Sequence, residues 1–341
     1  MAHKITPKRI SPDSLERVSS PIQQTELTET GVVPNLTVRE IRLEEINRTL
    51  PMLFDEEKLD RLTLREQVRS FQKLARQENY DLSRQMVLVQ NNNIVAACFF
   101  LPCPGRTAFV FLSSMKETES ENLLLRKRAA QMQGELVKWA FREGSQLLQV
   151  LTDPQDAVRS GLCLEAGYQF LTNLVYLYGD RAKLAEETSQ TGNQRWETYT
   201  EQAHNRFKYV ISRTYEESLD CPELENLRNM DDVLLSHRAA GDFNKHLWKI
   251  LYMDEQPAGV LLLSPLKNRK MMELTYMGLI PKFRRQGLAK ILLSEASHLT
   301  HRNNLEGLTL AVDKRNQPAM NLYHQFGLEE LFQRAVFIKT S

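Results

Sequence analysis

The sequence predicts an α+β fold laid out as two tandem copies, and three observations lead there. The C-terminal part runs strand, turn, helix, strand, short helix, strand, with period-two apolar positions at Leu308, Leu310 and Val312 marking one of the strands. The turn before the first of those helices, LIPKFRRQGLA at 279–289, has a proline that stops a strand and a glycine at the helix entry. The same order occurs earlier as a weak internal repeat. LLQVLTDPQDAVRSGLCLEAGY aligns with GLTLAVDKRNQPAMNLYHQFGL without a gap, bringing Leu148 to Leu308, Asp153 to Asp313, Leu162 to Leu322 and Gly167 to Gly327.

Along the chain, residues 1–35 carry several Pro, Ser and Thr with little apolar periodicity and read as an extended or partly ordered arm. A first domain spans 36–180. LTVREIRLEEI opens it as a strand entering a helix, and QMVLVQNNNIVAACFFL reads as strand, polar turn, strand. AAQMQGELVKWAFREG supplies a helix, LLQVL a strand, and LVYLY the closing strand after Gly167. The polar stretch 181–194 is the linker. The second domain, 195–341, begins with a strand and a helix around 202–216, and LWKILYMDEQPAGVLLL repeats the strand–turn–strand pattern. MELTYMGL (272–279) and LTLAV (308–312) are strands around the helix AKILLSEASHL. DKRNQPAMNLYHQFGL (313–328) is a short helix introduced by Asn316 and Pro318 and stopped at Gly327, with a last strand near 331–338.

Composition narrows the function. A chain of 341 residues is long enough for two ordinary domains, and 42% hydrophobic content is that of a soluble globular protein. With 44 basic and 43 acidic residues the formal charge is +1, so no electrostatic footprint argues for nucleic acid. Cys98, Cys103, Cys163 and Cys221 show no metal or disulfide spacing, and the seven histidines are scattered, so no metal site is expected and a reducing compartment is the default. No apolar run reaches membrane-spanning length, which makes the cytoplasm the expected address and a membrane partner not expected.

The turn at 284–289 carries chemistry. A helix that starts abruptly leaves the N–H groups of its first turn unpaired, with the helix dipole behind them, and this suits a phosphate or pyrophosphate. Gly287 lets the backbone approach a ligand, and Arg284 and Arg285 add positive charge. An ordinary surface turn shares so short a pattern, so the flanking elements decide. The order strand, phosphate turn, helix, strand, Asn-x-x-Ala-x-x-Leu-Tyr helix and Phe-Gly resembles the GNAT acetyltransferase superfamily over the C-terminal half. The tandem layout is similar to that of mycothiol-synthase-type proteins.

That resemblance implies that each copy is a mixed, mostly antiparallel sheet flanked by helices. It implies acetyl-CoA as co-substrate, its pyrophosphate gripped by Arg284, Arg285, Gln286, Gly287, Leu288 and Ala289. Asn316 would lie beside the pantetheine arm, and Leu279 and Ile280 would direct main-chain N–H groups at pantetheine and the acetyl carbonyl. Tyr323 would protonate the departing thiolate. Asn316 is equally a good N-cap, and Tyr323 equally a packing residue. For the base, strand alternation puts Glu273 on one face with Thr275, Met277 and Leu279, with Tyr276 on the other. In tandem relatives a Glu at the matching place acts as base; a solvated strand-end carboxylate has the same appearance.

The first copy departs from the pattern where chemistry is needed. ENLLLRKRA (121–129) has no glycine, Asp156 replaces Asn316, and Cys163 replaces Tyr323. Arg126, Lys127 and Arg128 either attract phosphate or form a solvated helix face. The expectation is a degenerate copy beside an active C-terminal N-acetyltransferase acting on a primary amine, small-molecule or peptide. Glu216, Glu217, Asp220, Glu223 and Glu225 form a run that would either attract a cationic amine or be a solvated loop. The alternative function is a non-catalytic acyl-CoA-binding or regulatory module.

Overall fold

The computed structural model describes residues 35–54, 60–115, 122–184, 193–225, 227–266 and 270–341. The expected arm at 1–35, apart from Asn35, and positions 185–192 of the expected linker lie outside the described residues. Strands β1 (Leu36–Glu40), β2 (Gln85–Gln90), β3 (Asn93–Cys103), β4 (Thr107–Leu112), β5 (Leu147–Thr152) and β6 (Gln169–Asp180) come from the N-terminal half. Strands β7 (Gln194–Thr198), β8 (Trp248–Met253), β9 (Gln256–Leu266), β10 (Met271–Leu279), β11 (Gly307–Asp313) and β12 (Glu329–Thr340) come from the C-terminal half. Helices α1 (Ile46–Met52), α2 (Arg61–Gln77), α3 (Leu123–Arg142) and α4 (Ala157–Glu165) belong to the first half. Helices α5 (His204–Tyr215), α6 (Met230–Ala239), α7 (Leu288–Arg302) and α8 (Gln317–Gln325) belong to the second.

All of these strands join one sheet, in the order β1-β2-β3-β4-β5-β12-β6-β11-β10-β9-β8-β7. The sheet is mixed and mostly antiparallel, as expected, with parallel pairing at β4–β5 and β10–β11. The expectation of a separate sheet in each copy is corrected, because the closing strands are exchanged. β6, the last strand of the first half, pairs with β11, while β12 pairs with β5. The two exchanged pairings share one register: Gly307 faces Asp180 just as the aligned Leu147 faces Thr340. A boundary in the chain at 181–194 is therefore not a boundary in space. Exchange also leaves neither half with an open inner edge.

The cores follow the exchange. Val175 and Leu177 of β6 are buried with Leu292, Leu293, Leu310 and Tyr323 of the second half. Ala335 and Phe337 of β12 are buried with Leu136, Val150 and Leu162 of the first. Burying such a leucine fully contributes roughly 1.5–3 kcal/mol, so each half depends on the other for part of its core. In the second half, α7 turns Leu288, Leu292, Leu293, Ala296 and Leu299 onto one face of the sheet. On the opposite face α5 buries Phe207, Val210 and Ile211 against Trp248 and Leu262. Among the described residues no helix is long and apolar enough to cross a membrane, and no group of three or more His, Cys, Asp or Glu is arranged to hold a metal.

Candidate active site

The site begins where two parallel strands part. β10 and β11 pair from Met271–Gly307 to Glu273–Thr309 and no further. Beyond that point lies a cleft of about 580 Å³, walled by β10, β11, α8, the turn after β10 and the segment that leaves α5. The N–H of Ile280 donates to Ala258 O at 2.9 Å on β9. Strand alternation then turns the N–H groups of Met277 and Leu279 toward the opening. Leu279 lines the cleft as expected, whereas Ile280, with its N–H engaged and its side chain buried on the far face, does not.

A bulge at Thr275 corrects the placing of Glu273. The β9–β10 register shifts between Leu274 and Tyr276, so one extra residue resets the alternation. Met272 and Leu274 before the bulge, and Met277 and Leu279 after it, face α7 and α8. Glu273 is therefore on the Tyr276 side, opposite Met277 and Leu279, and it stands outside the cleft lining, which starts at Leu274. Its expected role as base loses its geometric support. Tyr276 does reach the cleft, with its hydroxyl tied to Thr214 Oγ1 at 2.8 Å.

After β10 the chain passes a short turn at Pro281–Phe283 and enters α7 through Arg285 at φ +60° and Gly287 at φ +79°. The N–H groups of residues 285–289 have no hydrogen-bond acceptor among the described residues. By contrast, α3 is capped by Asn122, whose side chain takes the N–H groups of Leu124 and Leu125. A Cβ built on Gly287 meets nothing within 4 Å, so this turn faces open space. Arg285, Gln286 and Gly287 are exposed, Leu288 packs its side chain into the core, and Ala289 lines the cleft. Unpaired amides in a left-handed turn at a helix start, with the Arg285 cation beside them, form an anion cradle.

Arg284 is not part of that cradle. Its Nε donates to Leu279 O at 3.0 Å, Nη1 to Glu217 O at 2.9 Å, and Nη2 to Thr214 O at 3.1 Å and Glu216 O at 2.6 Å. The guanidinium satisfies carbonyls left over at the C-terminal end of α5 and ties them to the end of β10. Its expected contact with phosphate is corrected on that ground. Gln286 likewise turns its side-chain amide onto Lys282 O at 2.8 Å, leaving only its backbone N–H to the cradle.

Asn316 and Tyr323 both line the cleft. Asn316 is the N-cap of α8, its Oδ1 accepting the Ala319 N–H at 3.3 Å. Tyr323 is 6% exposed, and burial, with the charge of Asp220 adding to it, pushes its phenol above the ordinary tyrosine range. The acidic run is not a free rim: Glu216 pairs with Arg213, Glu223 with Arg315 at 2.5 Å, and Asp220 accepts the Asp313 N–H at 2.8 Å. Thr214 and Ser218 line the cleft without any sequence signal to mark them, and Asp220 lines it as one acid of the acidic run. In the first half, Asp156 caps α4 as Asn316 caps α8, while Cys163 is wholly buried in the core with its thiol pushed up to about 12 by burial.

Residues 211–328 match the model of the acetyltransferase (GNAT) family. This stretch is similar to a GNAT domain. Among solved structures, the chain is similar to a GCN5-related N-acetyltransferase from Sphaerobacter thermophilus, at 14% identity and a TM-score of 0.56, covering 89% of this chain and 95% of that one. It is also similar to the glucosamine N-acetyltransferase region of a fungal multi-domain β-N-acetylglucosaminidase, at 9% identity and a TM-score of 0.57, covering 90% of this chain and 38% of that one. At such identities the likeness is one of fold. No curated protein matches the sequence. The GNAT family consists of acyltransferases that draw on acyl-CoA, generally acetyl-CoA, and the site suits such a donor. The unpaired amides at 285–289 fit a diphosphate, and the parted strands leave a slot for the arm that follows it.

Proposed function

We propose that the protein is an N-acetyltransferase that moves the acetyl group of acetyl-CoA to a primary amine, with the C-terminal half active and the N-terminal half a degenerate second GNAT-like copy. The observation that supports this reading is one cleft lined both by Arg285 and Ala289, from the turn whose amides are unpaired, and by the buried Tyr323. Bound acetyl-CoA supplies an activated acyl carbon. The amides of 285–289 and Arg285 hold its diphosphate, and the N–H groups of Met277 and Leu279 face the slot as oxyanion donors. Preorganised donors of this kind lower an acyl-transfer barrier by about 3–4 kcal/mol. Tyr323 donates its phenol proton to the sulfur. Burial keeps the phenol protonated at working pH, and the same burial makes it a weaker acid than a free tyrosine, so the donor role rests on its place in the cleft.

Support for the N-terminal copy's degeneracy is chemical. Asn122 occupies the helix N–H groups that the second half leaves unpaired, and Cys163 stands at the aligned position of Tyr323. The test is calorimetric titration with acetyl-CoA, followed by thiol release across polyamines, lysine peptides and aminoglycosides. Amine-dependent thiol release supports the transferase. Tight binding without release across the whole set favours a binding module.

A further inference from the structure

With Glu273 outside the cleft, the base must come from elsewhere. We propose that Asp220 is the general base of the transfer, an assignment that rests on the acetyltransferase reading above. Asp220 lies on the segment leaving α5 and lines the same cleft as Tyr323. Its position is fixed by a reciprocal pair of bonds: the Asp313 N–H donates to Asp220 Oδ1 at 2.8 Å, and the Cys221 N–H donates to Asp313 Oδ2 at 3.1 Å. Asp220's own N–H is held by Ser218 Oγ at 3.1 Å. Cys221 sits at φ +48°, a strained conformation for a residue with a Cβ, and both bonds hold it there. Arg315 in turn grips Asp313 at 2.7 Å. No donor among the described residues is paired with Asp220 Oδ2.

Among the other cleft groups, Tyr276 has its hydroxyl on Thr214, and the backbone carbonyl of Glu217 accepts from Arg284. Asp220 is near enough to Tyr323 for its charge to raise the phenol's pKa, and the same charge is felt by Tyr276, Tyr215 and Cys221. Although Asp220 as a residue is exposed, the protein around its carboxyl raises its pKa by withdrawing hydration, and the Asp313 charge adds to this, while the Asp313 N–H and Arg315 oppose. A carboxyl so raised is a better proton acceptor near neutral pH.

The proton and bond changes balance as follows. Asp220 takes one proton from the incoming ammonium and passes it to solvent. The neutral nitrogen bonds to the acyl carbon, the carbon–sulfur bond breaks, and the sulfur takes the Tyr323 proton. The second nitrogen proton leaves through Asp220 and restores the phenol. One proton is released per turnover.

Asp220→Asn keeps an acceptor for the Asp313 N–H and removes the base. Turnover with a responsive amine from the panel above is expected to fall about 10²–10⁴-fold, with acetyl-CoA affinity essentially unchanged. The deficit is expected to narrow as pH rises and the amine enters already neutral. Stability supplies a readout that needs no activity. A carboxyl with a raised folded pKa disfavours the folded state as pH rises above the unfolded value, so the ligand-free Asn variant should melt higher than the unaltered protein at neutral pH. The two should converge in acid. Unchanged turnover would overturn the assignment, as would an equal loss at every pH with a lower melting temperature. Should the Asn variant not fold, Asp220→Ser with added formate decides: recovered turnover supports the base, and none overturns it. If the unaltered protein binds acetyl-CoA but acetylates no amine, the acetyltransferase reading fails first and takes this assignment with it.

Discussion

Thr172 Oγ1 donates to Asp313 Oδ1 at 2.7 Å, so a side chain of the first half's exchanged strand supports the fully buried carboxylate beside the cleft. Burial works against that charge, but hydrogen bonds from Arg315, Thr172 and the backbone outweigh it and lower the Asp313 pKa. A lowered folded pKa stabilises the protein above the unfolded carboxylate value, and the contribution is lost as pH falls through the folded one. Thr172→Val leaves the charge with one donor fewer. It is expected to lose about 1.5–3 kcal/mol at neutral pH and less in acid, as read from urea unfolding at several pH values.

Arg284 and Arg285 are neighbours with opposite duties, and their substitutions should separate cleanly. Arg284→Met removes four bonds to carbonyls and is expected to cost at least about 2 kcal/mol of stability. Arg285→Met should leave stability alone and weaken acetyl-CoA by about tenfold, with a smaller salt dependence. Thermal melting and calorimetry on the same preparations check both.

Tyr323→Phe keeps the packing and removes the proton. Turnover is expected to fall about 10²-fold or more, with acetyl-CoA affinity unchanged, as befits a group acting only in the transition state. An unaltered rate would leave Tyr323 as a packing residue.

The N-terminal half also reaches the second through the β3–β4 turn. Arg106 bonds Asp232 on α6 at 2.8 Å, and Arg228 bonds Gly105 O at 2.9 Å. Gly105 adopts φ +77°, and a Cβ there would lie 2.1 Å from Asp232 O. Gly105→Ala is therefore expected to lower stability by about 1–3 kcal/mol, an overpacking penalty. The check is thermal melting of the two proteins side by side.

Local chemistry was legible in the sequence and pairing was not. The turn at Gly287, the Asn316 cap and the strand–helix order are written in neighbouring residues, and they lie where that reading put them. The exchange of β6 and β12 has no local mark, because LVYLY and AVFI are equally apolar and either could close either half. Alternation misplaced Glu273 because a bulge adds one residue without any signature in MELTYMGL. Arg284 read as a phosphate ligand because its actual partners, the carbonyls ending α5, are some seventy positions earlier. Asp220 was one acid in an acidic run until the fold brought Asp313 against it.

The most direct test of the central claim is a crystal structure of the protein with acetyl-CoA bound. The diphosphate should accept hydrogen bonds from the main-chain N–H groups of residues 285–289, with the thioester lying between β10 and β11 toward Tyr323. A diphosphate seated elsewhere, with those amides facing only solvent, would contradict it.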